Sequence, residues 1–314
     1  MGDLRICLFG KFHAQINGRM PHGLDTLKAQ ELLCYLLLNR EHPYHRETLA
    51  SALWGDNRTA QSKKYLRQAL WQLQIALNSD SGLDQSGLLI IEPDWIIINV
   101  HMELWLDVQV FERAMSRVRG QPGEALDTDQ VQCLEEAVQL YKGDLLEGWY
   151  QDWCLYERER LQNLYLEMLD KLMGHCAAHH QYEAGLEHGA KILRYDRARE
   201  RTHWQLMRLH YLAGDRAGAL RQYERCAAAL DQELSVKPSQ RTLALYEQIR
   251  ADNVADFALP AHHGSQLPAH PPTQPPTLAH TLERLKSLRA SLNSLQDQVD
   301  QELRAVEEIL GNSY

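Results

Sequence analysis

Thr59-Ala-Gln-Ser-Lys-Lys-Tyr-Leu-Arg-Gln-Ala-Leu-Trp-Gln-Leu-Gln-Ile-Ala-Leu77 decides the reading of the first third of the chain. Leu66, Leu70, Leu73 and Leu77 recur at helical spacing and form one apolar face. At about 100° per residue the opposite face centres on Lys64, Gln68, Trp71 and Ile75, with Gln61 and Arg67 at its flanks. From Asn57 to Ser79 there are four basic residues and no acid. The stretch therefore predicts a helix, entered from Asp56 or Asn57, that packs by its leucines and shows cations and amides to the outside.

On the N-terminal side two shorter helical patterns precede it. One is Leu27 to Asn39, with Leu32, Leu33, Leu36 and Leu37 in phase; the other is His45 to Trp54, stopped at Gly55. Before them, residues 4–16 are rich in strand formers, are broken at Gly10 and close on the turn pair Asn17-Gly18. After the third helix, residues 88–100 give two β-rich runs around Pro93-Asp94, a hairpin. Sheet, three helices and hairpin in that order predict a winged helix-turn-helix, with the third helix as the major-groove reader and the hairpin as the wing.

From Leu106 to about Arg250 the chain is helical and amphipathic. The stretches Ala178–Leu186 and Ala213–Leu220 resemble each other, with Ala178 on Ala213 and Ala184 on Ala219 at an offset of 35, and a period near 34 suggests tetratricopeptide-like helix pairs. Residues 251–277 hold six of the 11 prolines and read as a linker. Beyond it a heptad runs through Leu278, Leu285, Leu292, Val299 and Val306 at one seam position and Thr281, Leu288, Leu295, Glu302 and Ile309 at the other. The expected fold is mainly α: a winged helix-turn-helix DNA-binding domain at 1–105, an all-α tetratricopeptide-like domain at 106–250, the linker, and a coiled-coil tail at 278–314. Leu285, Leu288, Leu292, Leu295 and Val299 are the expected oligomerisation contacts; an amphipathic helix docking on its own protein is the alternative.

Charge narrows the function classes. The chain carries 33 Lys/Arg against 42 Asp/Glu, a net −9, but residues 1–105 hold 10 against 11 and are nearly neutral. No apolar run approaches the roughly 20 residues that span a bilayer, and the first residues lack a secretory pattern, so a cytoplasmic protein is expected. The six cysteines form no C-x-x-C pair, which points to reduced thiols. No Walker A loop, dinucleotide glycine loop or Gly-x-Ser-x-Gly elbow appears, so neither an enzyme nor a cofactor is expected. His175 and His179 stand at i, i+4 with His180 adjacent, but Cys-Ala-Ala separates them where a metalloprotease motif needs a Glu; they read as surface histidines at a helix end, and no metal site is expected.

These segments together resemble the bacterial transcriptional activator domain family, which includes the Streptomyces antibiotic regulatory proteins. The resemblance lies in residues 27–56 with Leu53-Trp54, then Tyr65-Leu-Arg-Gln-Ala-Leu70, Trp105-Leu-Asp-Val-Gln-Val-Phe-Glu112, and Leu134 through Leu146 with Tyr141-x-Gly143-Asp144. It continues in Gly214-Asp-Arg-Ala-Gly-Ala-Leu-Arg-Gln-Tyr-Glu224 and Leu230 through Ser239. The match runs over residues 4–250. It implies a promoter-binding activator that contacts RNA polymerase, with a helical domain for dimerisation or regulation. One departure is the lack of arginine in Trp71–Leu77, where similar proteins carry several.

The DNA-binding candidates follow from the helix geometry. Lys64 and Arg67 suit phosphate or guanine, Gln68 suits adenine, and Gln61 flanks them. Lys63, nearer the core edge, suits backbone phosphate, as do Arg46 and Arg58 beside the groove. Trp71 and Ile75 face outward; they either touch a thymine methyl or ribose or, the plainer expectation, pack on the N-terminal sheet or wing. Trp95 is expected to pack under its hairpin. The function expected is a sequence-specific transcriptional regulator of double-stranded promoter DNA, self-associating, with room for a small-molecule effector in a concave groove. The alternative is a helical-repeat interaction scaffold whose winged helix no longer binds DNA.

Overall fold

The structure is a computed structural model, and it describes residues 4–19, 21, 24, 26–55, 59–78, 87–99, 101–102 and 104–252. The expected cap of the third helix, Arg58, most of the linker and the whole heptad tail lie outside the described residues.

The first sheet is made by β1 (Leu4–Cys7), β2 (His13–Ile16) and β6 (Leu104–Leu106), in the order β2-β1-β6. β1 and β2 are antiparallel, with Leu4 opposite Ile16. Leu4, Ile6, Ala14 and Ile16 are buried, the alternation of a sheet with one covered face. Asn17 and Gly18 both take positive φ, 51° and 79°, and Arg19 returns to bridge Ile16. The turn pair does what its chemistry predicts.

Three helices follow: α1 (Leu27–Leu38), α2 (Arg46–Trp54) and α3 (Thr59–Asn78). β3 (Tyr44–His45) separates the first two and joins β4 (Leu89–Ile91) and β5 (Trp95–Ile98) in a second sheet, in the order β3-β5-β4. β4 and β5 are the hairpin, paired antiparallel with Ile91 opposite Ile96. The His45 ring accepts from the Glu47 amide at 3.3 Å and so caps α2. α1 is buried almost all round, from Leu32 and Leu33 to Leu37, and even Glu31 is enclosed, held by Lys28 at 2.7 Å.

β6 runs straight into α4 (Asp107–Arg117), followed by α5 (Thr128–Leu140), α6 (Asp152–Ala178), α7 (Tyr182–Tyr195), α8 (Glu200–Leu212), α9 (Arg216–Leu234) and α10 (Gln240–Ala251). β6 pairs parallel with β1, Leu4 opposite Leu104 and Ile6 opposite Leu106. Asp107 is buried beside this pairing. One of its oxygens accepts from the amides of Leu8 at 2.7 Å and Phe9 at 2.9 Å, and the other accepts from that of Val108 at 2.7 Å. The segment after α5 closes the same end: Leu146 donates to the Leu8 carbonyl at 2.9 Å, and Gly10 donates to Asp144 at 2.8 Å. Arg158 holds that segment by donating to the carbonyls of Leu145, Leu146 and Trp149 at 2.9–3.0 Å. Phe9 meets Phe111 and Tyr141 at ring-centroid distances of 5.0 and 4.8 Å, so one apolar core continues from the sheet into the helices.

The repeat is real but its register shifts. α6 ends at Ala178 and α8 at Leu212, 34 residues apart; α7 begins at Tyr182 and α9 at Arg216, again 34. Gly185 is buried and matches Ala219, whereas Ala184 is exposed, so the offset of 35 expected from the alanines is one residue too long. A Cβ on Gly189 would come within 2.5 Å of the Leu206 side chain, which is why α7 and α8 can cross so closely there. His175 is buried, not a surface residue as expected; its ring stacks on that of His179 at 4.0 Å. Among the described residues no group of three metal-binding side chains occurs, all six cysteines are free thiols, and no helix is long and apolar enough to cross a membrane.

Candidate nucleic-acid interface

Helix α3 sets the interface. Leu66, Ala69, Leu70, Leu73, Ala76 and Leu77 are buried, and burying a leucine is worth roughly 1.5–3 kcal/mol, so the helix cannot roll without losing that face. Ser62 donates to the Trp54 carbonyl at 2.8 Å and fixes the crossing of α2 and α3. Thr26 donates to the Gln72 side chain at 3.0 Å and ties the middle of α3 to the start of α1.

With the inward face set, the outward one follows. Lys63, Lys64, Arg67 and Gln68 are exposed and Gln61 is half-buried, so five of the expected groove residues share one accessible surface. Among the described residues neither Lys64 nor Arg67 is in an ion pair; Arg67 makes one long hydrogen bond, 3.4 Å to the Lys63 carbonyl. Lys63 differs. It forms an ion pair with Glu47 of α2, an acid 16 residues upstream that the acid-free stretch gave no reason to expect. The Lys63 ammonium hydrogen-bonds the Glu47 carboxyl and holds it below the usual carboxylate range.

Trp71 is 62% exposed and Ile75 40%, so neither packs on the N-terminal sheet or the wing as expected. They extend the outward face of α3 with apolar surface. Trp95 is 42% exposed and sits edge-on to His45 at 5.4 Å, at the hairpin's rim instead of beneath it. Arg46 is half-buried. Its amide donates to Asp94 at 2.9 Å and its guanidinium to the carbonyls of Glu92 and Pro93 at 3.3 and 3.4 Å. These bonds pin the wing turn to the start of α2.

Sequence reasoning missed Glu47 and also Gln74, which is exposed one turn from Trp71. It also missed how the interface is buttressed. Tyr35 of α1 meets Tyr44 at 5.6 Å and Trp153 of α6 at 5.5 Å, both edge-on. Arg40 binds Glu112 of α4 at 2.8 Å, and Glu112 also binds Arg160 of α6 at 2.6 Å.

A winged helix-turn-helix sharing a sheet and core with a stack of antiparallel helix pairs defines the class of protein. Residues 106–250 match the family model described as "Bacterial transcriptional activator domain". Among solved structures, "Mycobacterium tuberculosis EmbR in complex with low affinity phosphopeptide" is similar, with a TM-score of 0.63, 21% identity, and coverage of 82% of this chain and 67% of that one. That likeness extends over both the winged and the helical parts and shows the shared fold. No curated protein matches the chain.

Proposed function

We propose that the chain is a sequence-specific, DNA-binding transcriptional regulator acting in the cytoplasm, with α3 entering the major groove of promoter DNA. The observation that carries this is the shared exposure of Lys64, Arg67 and Gln68 on one carboxylate-free face of α3, opposite a fully packed leucine face. Two cations that form no ion pair among the described residues answer phosphates or guanine, and an amide answers adenine. Gln61 and the exposed Trp71 lie within reach of the same groove, and Arg58 begins the same basic run. The activator domain supports a role in activation through RNA polymerase. The heptad through Leu285, Leu288, Leu292, Leu295 and Val299 supports self-association of the tail.

The test is anisotropy titration of DNA from upstream of the protein's own gene. Lys64→Ala with Arg67→Ala is expected to weaken binding at least about tenfold and to flatten the log–log salt slope by about two units, with the thermal midpoint unchanged. Unchanged affinity in the double variant removes α3 from the groove.

A second reading rests on Trp71 and Ile75, whose exposed apolar surface sits in the centre of the same face. It makes the winged unit a protein-docking module without DNA binding. Salt-independent binding, or none, to any duplex favours that reading.

A further inference from the structure

Away from α3, the helices α7, α8 and α9 enclose an open groove of about 510 Å³. That is within the range of small-molecule sites. Its floor is apolar: Leu206 is buried, and Leu186 and Leu193 are half-buried. Its rim carries three arginines, Arg194 and Arg197 from the end of α7 and the turn after it, and Arg225 from α9. Among the described residues no Asp or Glu lines it. Among the described residues none of the three guanidiniums is in an ion pair, although this part of the chain is acidic overall.

A buried polar chain joins the Arg225 side chain to the backbone at Arg197. Arg225 donates to the Gln222 oxygen at 3.4 Å; the Gln222 amide donates to Nδ1 of His203 at 2.8 Å; Nε2 of His203 donates to the Arg197 carbonyl at 2.8 Å. A carbonyl only accepts, so His203 carries its proton on Nε2 and is neutral, and burial pushes its pKa down in agreement. Gln222 and His203 are both buried. Buried polar groups are costly unless satisfied, and here their bonds hold the two sides of one groove. Simple helix packing would be served by apolar residues at both positions.

We propose that this groove binds a nucleotide-like anion, its planar apolar body on Leu186, Leu193 and Leu206 and its phosphates on Arg194, Arg197 and Arg225. Leucine side chains supply area, and guanidiniums supply planar forks suited to phosphate oxygens. Arg194 and Arg197 lie two and five residues beyond Ile192, on the side of the groove where the end of α7 opens to solvent, so a polyphosphate can extend outward while the body stays on the floor.

The experiment is calorimetric titration of the full chain, without DNA, using ATP, adenosine and sodium triphosphate as probes. ATP is expected to bind saturably with a Kd below about 1 mM, and adenosine and triphosphate at least about tenfold more weakly each. Arg197→Glu with Arg225→Glu is expected to weaken ATP at least about tenfold while the circular-dichroism melt stays in place. These arginines are exposed, so the variant tests the groove and not the fold. Absence of saturable ATP binding overturns the proposal. So does equal binding of triphosphate, which leaves a bare anion patch, or undiminished ATP binding by the variant. Saturable binding of an acidic phosphopeptide in place of ATP likewise overturns it in favour of a peptide groove. Because no DNA is present, these outcomes are independent of whether α3 reads a promoter.

Discussion

At the scale of single residues, buried histidines tie the stability of the helical repeat to pH. Burial pushes the His188 imidazole down to about 4, with Lys191 adding to the shift and Glu187 opposing it, and its Nδ1 is buried with no hydrogen-bond partner among the described residues. Burial also lowers His203 and, with His179 beside it, His175. A histidine in the unfolded chain titrates near 6.5. Between about pH 6.5 and 4 the unfolded state therefore binds a proton at position 188 that the folded state refuses, and stability falls as the pH falls. For His188 the loss between pH 7 and pH 5 is about 1–2 kcal/mol. His188→Leu is expected to lose correspondingly less over the same interval, read from urea unfolding at the two pH values. Equal losses in variant and parent mean that His188 is solvated when folded. None of this was legible in the sequence. A histidine three residues from a lysine looks like any other surface histidine until the packing of α7 on its neighbours covers its Nδ1.

At the scale of elements, α3 shows which readings survive without a structure. Four leucines at helical spacing locate the inward face, because only one rotation buries them all. The outward cations follow by geometry. What lies beside them does not, because α2 crosses α3 and brings Glu47 to Lys63. Trp71 and Trp95 differ from expectation for a related reason: a large aromatic normally finds cover, and only the arrangement of the elements shows that both stay exposed here. The repeat register slipped by one because alternating Ala and Gly fit two alignments equally well, and only packing shows that Gly185, not Ala184, takes the crossing. The Glu47 contact carries a prediction of its own. If α3 meets DNA as proposed, an acid at the edge of that surface repels the phosphates and withholds Lys63. Glu47→Ala is expected to tighten DNA binding several-fold at low salt and to steepen the salt slope by about one unit, as Lys63 takes up a phosphate. Weaker binding in that variant, measured by anisotropy across a salt series, places Lys63 and Glu47 outside the footprint.

At the scale of the whole molecule, the boundary at residue 105 separates two sequence patterns but runs through shared structure. β6 supplies the third strand of the first sheet, and Asp107 satisfies two buried amides of Leu8 and Phe9. An orphaned buried amide costs about 1–3 kcal/mol, so loss of this carboxylate alone removes several kcal/mol from a domain whose whole stability is about 5–15 kcal/mol. Phe111, Leu145 and Leu146 are buried in the core that also holds Leu4, Ile6 and Phe9, and their removal opens that core to water. Residues 1–105 are therefore expected not to fold cooperatively alone, whereas residues 1–252 melt in one transition with tryptophan fluorescence and circular dichroism superimposed. This has a functional side. A winged unit that needs α4 to α6 for its own folding feels whatever shifts those helices, so on the proposed function regulation through the helical part requires no separate docking surface. The test is direct: a 1–105 polypeptide with sharp near-ultraviolet dichroism and a cooperative melt close to that of 1–252 makes the winged unit autonomous, and the shared sheet a contact between two finished domains.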